Sequence, residues 1–292
     1  MTPNLHTTLA HWSSRIMYCV CVAFTLAILA LLLLVTGYLV SIGIGSISWD
    51  FFTQLPTYDP TNPGGMRHAI VGTIILITVA SAVGIPLGLF AGVYLAEYDV
   101  GSWIAAPVRF ICDVLAGVPS IVVGILGYEL LVRPIGNYNG WAGAGALAFI
   151  MIPIVARTTE EMLRLVPGSY REASIALGAT KARTILRVVL PSATGSVITG
   201  VMLAIARVAG ETAPLLFTAL LSRLSPVAFW HGIPTNVHMD EPFPSLTVQI
   251  YKYATGPNVE FKRQAWAGIL VLISLIFVLN LSIRMITRGK KV

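Results

Sequence analysis

Arg207 and Glu211 stand four positions apart inside one apolar run, and Arg157 precedes Glu160 and Glu161 near the end of another. A charged side chain near the middle of a hydrocarbon layer costs at least about 2.5–3.5 kcal/mol on insertion scales, so each of these asks for a physical reason. One reason is chemical. A guanidinium stays charged at every relevant pH, and its planar fork matches the geometry of an oxyanion. Arg207 and Arg157 are then candidates to line an anion route, with Glu211 and Glu160 neutralising them when the route is empty. The other reason is structural. Residues four apart share a helix face, so Arg207 and Glu211 can form an internal ion pair that lowers the burial cost and fixes packing. Arg157, at the end of its run, can also extend its head to the interface.

Other chemistry is poorly provided for. The chain contains no phosphate-cradling G-x-x-x-x-G-K-S/T loop, no nucleophile elbow and no H-E-x-x-H helix, the arrangements that would bind nucleotide phosphates, activate a serine or hold a catalytic zinc. The chain is therefore expected to catalyse nothing and to bind no cofactor, and any ATP and Mg that drive it belong to a partner. His231, His238, Asp240 and Glu241 are the one concentration of metal-ligand types. Pro234, Pro242 and Pro244 interrupt any helix that would align them, which favours a hydrated loop. Cys19, Cys21 and Cys112 offer neither an even disulfide framework nor zinc spacing, and are read as packing residues.

A polar stretch between two apolar runs has more structure than a connector needs. Ser169, followed three residues later by Glu172, has the spacing of a capping box, in which hydroxyl and carboxylate satisfy backbone N–H groups at a helix start. Gly178 suits the left-handed position after a helix end. The spacing predicts a helix of about two turns, roughly 12 Å long at 1.5 Å per residue, and a second over 180–190 that stops before Pro191. Short helices are marginal alone in water, so this one is expected to dock into a groove on a partner.

The elements that must carry these residues are membrane spans. The chain is 56% hydrophobic and 11% charged, with a mean hydropathy of +0.80, and apolar runs near 16–42, 68–97, 107–132, 138–158, 193–222 and 265–287 are each long enough to cross a bilayer. The first run is too long for the apolar core of a signal peptide and is read as a retained anchor. Arg157, Arg164, Arg171, Lys181, Arg183 and Arg187 cluster between the fourth and fifth runs, and Arg284, Arg288, Lys290 and Lys291 follow the sixth. The positive-inside rule puts both clusters in the cytoplasm. Six crossings then leave both termini inside, with 43–67 and 223–264 outside, despite Arg223, Lys252, Lys262 and Arg263 in the latter. The net charge of +6 is thus accounted for by membrane sidedness, without nucleic acid. Breakers at Pro56, Pro60, Pro63, Gly64 and Gly65 make the first outer segment an irregular loop. Trp49, Trp141, Trp230 and Trp266 fall near span ends, where an indole keeps its N–H by the headgroups; packing alone accounts for them equally well. Gly84, Gly88 and Gly92 recur on one helix face, either to let a neighbouring backbone approach closely or as ordinary glycine enrichment of a membrane helix.

A resemblance emerges at the polar stretch. Glu172-Ala173-Ser174, three residues, Gly178, nine residues, Val188, then Leu190-Pro191 resembles the EAA loop of ABC importer permeases, with Ser174 in place of alanine and Val188 in place of isoleucine. The stretches 157–167, 206–219, 115–124 and 92–98 are similar to phosphate importer permeases of the PstA type. The Ala-Pro that follows Gly210-Glu211-Thr212 favours that type over its PstC-type sister. The resemblance covers roughly 68–222, and the final span more loosely. It implies an all-α integral membrane fold of the type I importer class, in a bacterial inner membrane. Residues 1–67 form an anchor and external loop, and 68–292 a permease core with a coupling loop at 159–191. It implies a coupling helix seated in a cleft of an ATP-binding subunit, with Glu172, Ala173, Ser174, Gly178, Leu190 and Pro191 at the contact. It further implies a PstC-like second permease, two copies of a PstB-like ATPase carrying ATP and Mg, and a PstS-like external phosphate-binding protein. Gly117-Val118-Pro119 and Gly210 through Pro214 are candidate places for the helices to bend, with ordinary helix packing as the alternative reading. The same residues leave room for another oxyanion, such as sulfate or molybdate, or for an ATP-independent transporter or channel.

Overall fold

A computed structural model describes residues 5–57, 59, 61–98, 103–230 and 233–288. Helices dominate it. Among the described residues, five are long and apolar enough to cross a membrane: Trp12–Ser46, Arg67–Glu97, Gly140–Arg164, Lys181–Ala209 and Val259–Met285. A sixth crossing exists only if two helices, Ala105–Gly117 and Ser120–Val132, are counted as one span bent by 105°. The run at 107–132 is therefore broken, not continuous. Pro119 supplies the reason: it forces the preceding residue out of the helical region, and Val118 is extended at ψ 132.

We number the helices α1 (Leu5–Gly43), α2 (Trp49–Thr53), α3 (Arg67–Glu97), α4 (Ala105–Gly117), α5 (Ser120–Gly127), α6 (Gly140–Arg164), α7 (Gly168–Ala176), α8 (Lys181–Thr184), α9 (Leu190–Ala209), α10 (Ala213–Thr218), α11 (Leu246–Thr255) and α12 (Val259–Arg288). The centre of the bundle is α6. It is the most enclosed of the spanning helices, and its Leu147, Met151 and Val155 pack with Leu76, Val208, Leu215 and Phe243. At the opposite extreme α1 is apolar on nearly all sides and exposed from Ile16 to Tyr38, the pattern of a helix solvated by lipid. It meets α12 near its end, where Tyr38 and Trp266 stack edge to face at 6.0 Å. Of the other indoles, Trp49 and Trp141 are exposed at helix starts, and the side chain of Trp230 lies outside the described residues.

The glycine face of α3 does what its spacing predicts. A Cβ at Gly88 would lie 2.6 Å from the Val155 Cβ, and one at Gly92 2.6 Å from the Ala156 carbonyl oxygen, so only glycine permits this approach of α3 to α6.

Three expectations need correction. The helix over 180–190 does not stop before Pro191. It runs from Lys181 through a widened turn at Ile185–Val189 into α9. Proline removes a donor and crowds the carbonyl four residues back, and a π-type turn just before it absorbs both defects. The run at 193–222 ends instead at Ala209, after which Gly210 to Thr212 separate α9 from α10. Finally, the expected outer loop 223–264 carries secondary structure of its own. Strands β1 (Val227–Trp230) and β2 (Ile233–Val237) form an antiparallel hairpin, so among the described residues the regular structure is helical apart from this ribbon. Helix α11 then packs with much of its surface buried, its Leu246 N–H donating to the Thr73 Oγ1 of α3 at 2.7 Å. His231 lies outside the described residues, and among those described no three metal-ligand side chains converge.

The first outer segment is only partly irregular. Ser48 caps α2 by accepting from the Phe51 N–H at 3.3 Å, and Pro56 and Gly64 pair across the loop.

Candidate functional site

The polar stretch forms an elbow of two helices. The predicted capping box is absent: α7 starts at Gly168, one residue before Ser169, and Pro167 occupies the cap with no side-chain hydrogen bond. Proline fixes the backbone angle needed to enter a helix, and here that displaces the Ser169 signal. The other end follows the expectation. Gly178 has φ +82, its N–H bonds the Ile175 carbonyl at 2.9 Å, and the Ala179 N–H bonds that of Ser174 at 3.1 Å, the paired closure of a Schellman motif. The Ser174 hydroxyl shares a 2.8 Å hydrogen bond with that of Thr184 on α8, an interaction that alanine at this position would lack. Glu172 and Ala173 are exposed, as are Tyr170, Ile175 and Leu177, the last at 90%. Leu190 and Pro191 begin α9 on the far side of the widened turn. Large apolar side chains on a polar elbow form the kind of patch that marks an interaction site.

Arg157 and Glu160 belong to a closed ionic cluster. Glu160 is only 2% exposed. Its Oε1 accepts from Arg109 Nε at 3.0 Å and lies 2.9 Å from Arg164 Nη2, while its Oε2 accepts from Arg157 Nη1 at 2.8 Å. Arg157 Nε in turn lies 2.8 Å from Asp113 Oδ1. Three guanidiniums thus surround one buried carboxylate and fasten α4 to α6. Glu161 points outward and stays exposed. Arg109 and Asp113 belong to no motif, although their four-residue spacing in an apolar run is the same signal that Arg207 and Glu211 present.

Arg207 and Glu211 are arranged differently. Glu211 lies past the end of α9, so the two do not share a continuous helical face. Their closest approach, Arg207 Nη2 to Glu211 Oε1, is 4.0 Å, beyond hydrogen-bond range. The Glu211 carbonyl is held by the Thr247 hydroxyl at 3.0 Å. Both side chains border a narrow cavity of about 10 Å³ together with Val118, Ser120, Ile150 and Ile154. The two predicted bends meet here: a Cβ at Gly124 would sit 3.0 Å from the Pro214 Cα, so α5 lies directly on the start of α10. The site is a seam between two interrupted helices, with an arginine, a carboxylate and a serine at its edge.

A bundle of helices long and apolar enough to cross a membrane, with large apolar side chains exposed on a polar elbow, has the organisation of a membrane transport subunit. Residues 84–292 match the family described as "Binding-protein-dependent transport system inner membrane component", and the chain belongs to it. Within that class its similarity is specific. It is 44% identical over 249 residues to the "Phosphate transport system permease protein PstA" of Yersinia pestis, covering 85% of this chain and 81% of that one. To the protein of the same description from Haemophilus influenzae it is 41% identical over 253 residues, covering 87% and 86%. Among solved structures, the MetNI methionine ABC transporter in inward-facing conformations aligns with a TM-score of 0.58 at 18% identity, over 78% of this chain and 95% of that one. This last likeness speaks to the fold alone.

Proposed function

We propose that this chain is the membrane-spanning permease of an ATP-driven phosphate importer, forming half of its translocation route. The observation that carries this reading is the identity to phosphate permeases over most of the chain, which takes in both the elbow and the seam. In this reading the chain crosses the membrane six times, the bent α4–α5 pair making one crossing, with both termini and the elbow in the cytoplasm. Glu172, Ala173, Ser174, Gly178, Leu190 and Pro191 form or brace the surface that enters a PstB-like ATPase, whose two copies bind ATP and Mg. A PstC-like permease supplies the other half of the route, and a PstS-like external protein delivers the anion.

Arg207 is the anion contact in this scheme, because its fork makes no hydrogen bond among the described residues and borders the seam. Glu211 balances its charge when the route is empty. The nitrogens of Arg157 are already engaged by Glu160 and Asp113, so we assign Arg157 and Glu160 to the wall of the route. A gap of about 10 Å³ is about one water-sized probe, so an oxyanion passes only when α4–α5 and α9–α10 part.

Uptake of labelled phosphate by cells carrying the assembled complex, competed by excess sulfate and then molybdate, tests the substrate. Unlabelled phosphate alone is expected to compete. Competition by sulfate with none by phosphate overturns the assignment. Retention of full transport after both Glu172 and Gly178 are replaced overturns the ATPase coupling.

A further inference from the structure

One side chain ties the first arm of the elbow, α7, to the bundle through several hydrogen bonds. Arg171, in the middle of α7, donates from Nε to both Glu97 carboxylate oxygens at 3.1 and 3.2 Å and from Nη2 to Glu97 Oε1 at 2.6 Å. The same guanidinium donates from Nη2 to the Leu163 carbonyl at 2.9 Å and from Nη1 to the Val166 carbonyl at 2.7 Å. One cation therefore joins three elements: the elbow, the end of α3 and the end of α6. Glu97 is 6% exposed and is the last residue of α3, where the helix macrodipole opposes a negative charge. Its presence there is a cost to α3 alone and becomes favourable only through Arg171. The second arm of the elbow grips the same place, with Lys181 Nζ 4.4 Å above the Tyr98 ring.

We propose that Arg171 and Glu97 are positioning residues that lock the elbow to the α3–α6 pair, so that displacement of α7 by the ATPase is delivered to Ile150 and Ile154 of α6 at the seam. This rests on the proposed function, since it takes the elbow to be the part the ATPase moves. A guanidinium engaged on several sides resists both translation and twist, which a single hydrogen bond does not. Without the lock the elbow still carries its docking surface, because none of the exposed apolar residues belongs to the lock. The expected fault is hydrolysis without transport.

The test reconstitutes the whole complex with its external binding protein in proteoliposomes and measures phosphate imported and ATP hydrolysed in the same vesicles. Glu97→Gln is expected to lower the phosphate-to-ATP ratio by about five-fold or more, the lower end of typical site-to-site couplings, while the ATPase still copurifies. A second variant guards against simple misfolding. In a background lacking Cys19, Cys21 and Cys112, Glu97→Cys with Arg171→Cys is expected to be uncoupled when reduced and to recover its ratio when a short bifunctional thiol reagent bridges the pair. A bridged protein that stays uncoupled overturns the lock, as does a Glu97→Gln protein as tightly coupled as wild type. Wild-type vesicles that hydrolyse ATP and import no phosphate overturn the proposed function itself, and the lock with it.

Discussion

Two arginine–glutamate pairs that look alike in the sequence sit in opposite environments. Around Glu160 three guanidiniums and Asp113 close into a network with the carboxylate buried. At Glu211 the arginine stands 4.0 Å away, more than half exposed, beside a seam between broken helices. The difference teaches that a charge in an apolar run is not by itself a functional signal. What separates a fastening from a binding group is whether its donors are already engaged.

The contrast breaks first at Glu160. Glu160→Gln leaves three guanidiniums around a neutral amide, and removing one partner of a buried ionic group costs about 3–5 kcal/mol. Little folded complex is expected by gel filtration and thermal unfolding; a normal yield would mean that the cluster is not structural. At the seam the converse holds. Arg207→Gln is expected to leave thermal unfolding unchanged while phosphate import falls about ten-fold or more, since a hydrogen bond to a charged group is worth about 1.5–3 kcal/mol. Equal losses of assembly and import would make Arg207 another fastening.

Smaller effects sharpen the comparison. Arg157→Gln removes one of three cations from Glu160 at a partly exposed position, so a loss of about 1–3 kcal/mol is expected, with import per folded complex close to wild type. A collapse of import at normal stability would move Arg157 into the route. Glu211→Gln should change stability by less than about 1 kcal/mol, the range of weak exposed pairs. Denaturant titration checks it, and a larger loss would show that the pair already binds tightly when the route is empty.

Features set by neighbours in sequence were legible. The periodic glycines of α3 marked a close helix contact, Gly178 marked a left-handed helix end, and Gly117-Val118-Pro119 and Gly210 to Pro214 marked bends. Signals failed where two local preferences competed. Ser169 and Glu172 have capping-box spacing, but Pro167 begins the helix earlier. Pro191 has the chemistry of a helix stop, but the widened turn before it carries the chain through. Long-range partnerships were hidden for a different reason. Arg109 and Glu160 are 51 residues apart, and Arg171 and Glu97 are 74 apart, so only the packing of α3, α4, α6 and α7 decides which charges meet. The burial of α11 follows from the same tertiary choice.

The glycine face of α3 sets its main chain directly against Met151, Val155, Thr159 and the Ala156 carbonyl of α6, with no side chain of its own between. Such a contact leaves little slack, so sliding one helix along the other would drive the α3 backbone into the β-carbons of Val155 and Thr159. Any reshaping that lets a solute through must therefore be absorbed where the chain already lacks helical hydrogen bonds, at 117–119 and 210–212. Those few residues, and not the long helices, set how far this half of the route can open.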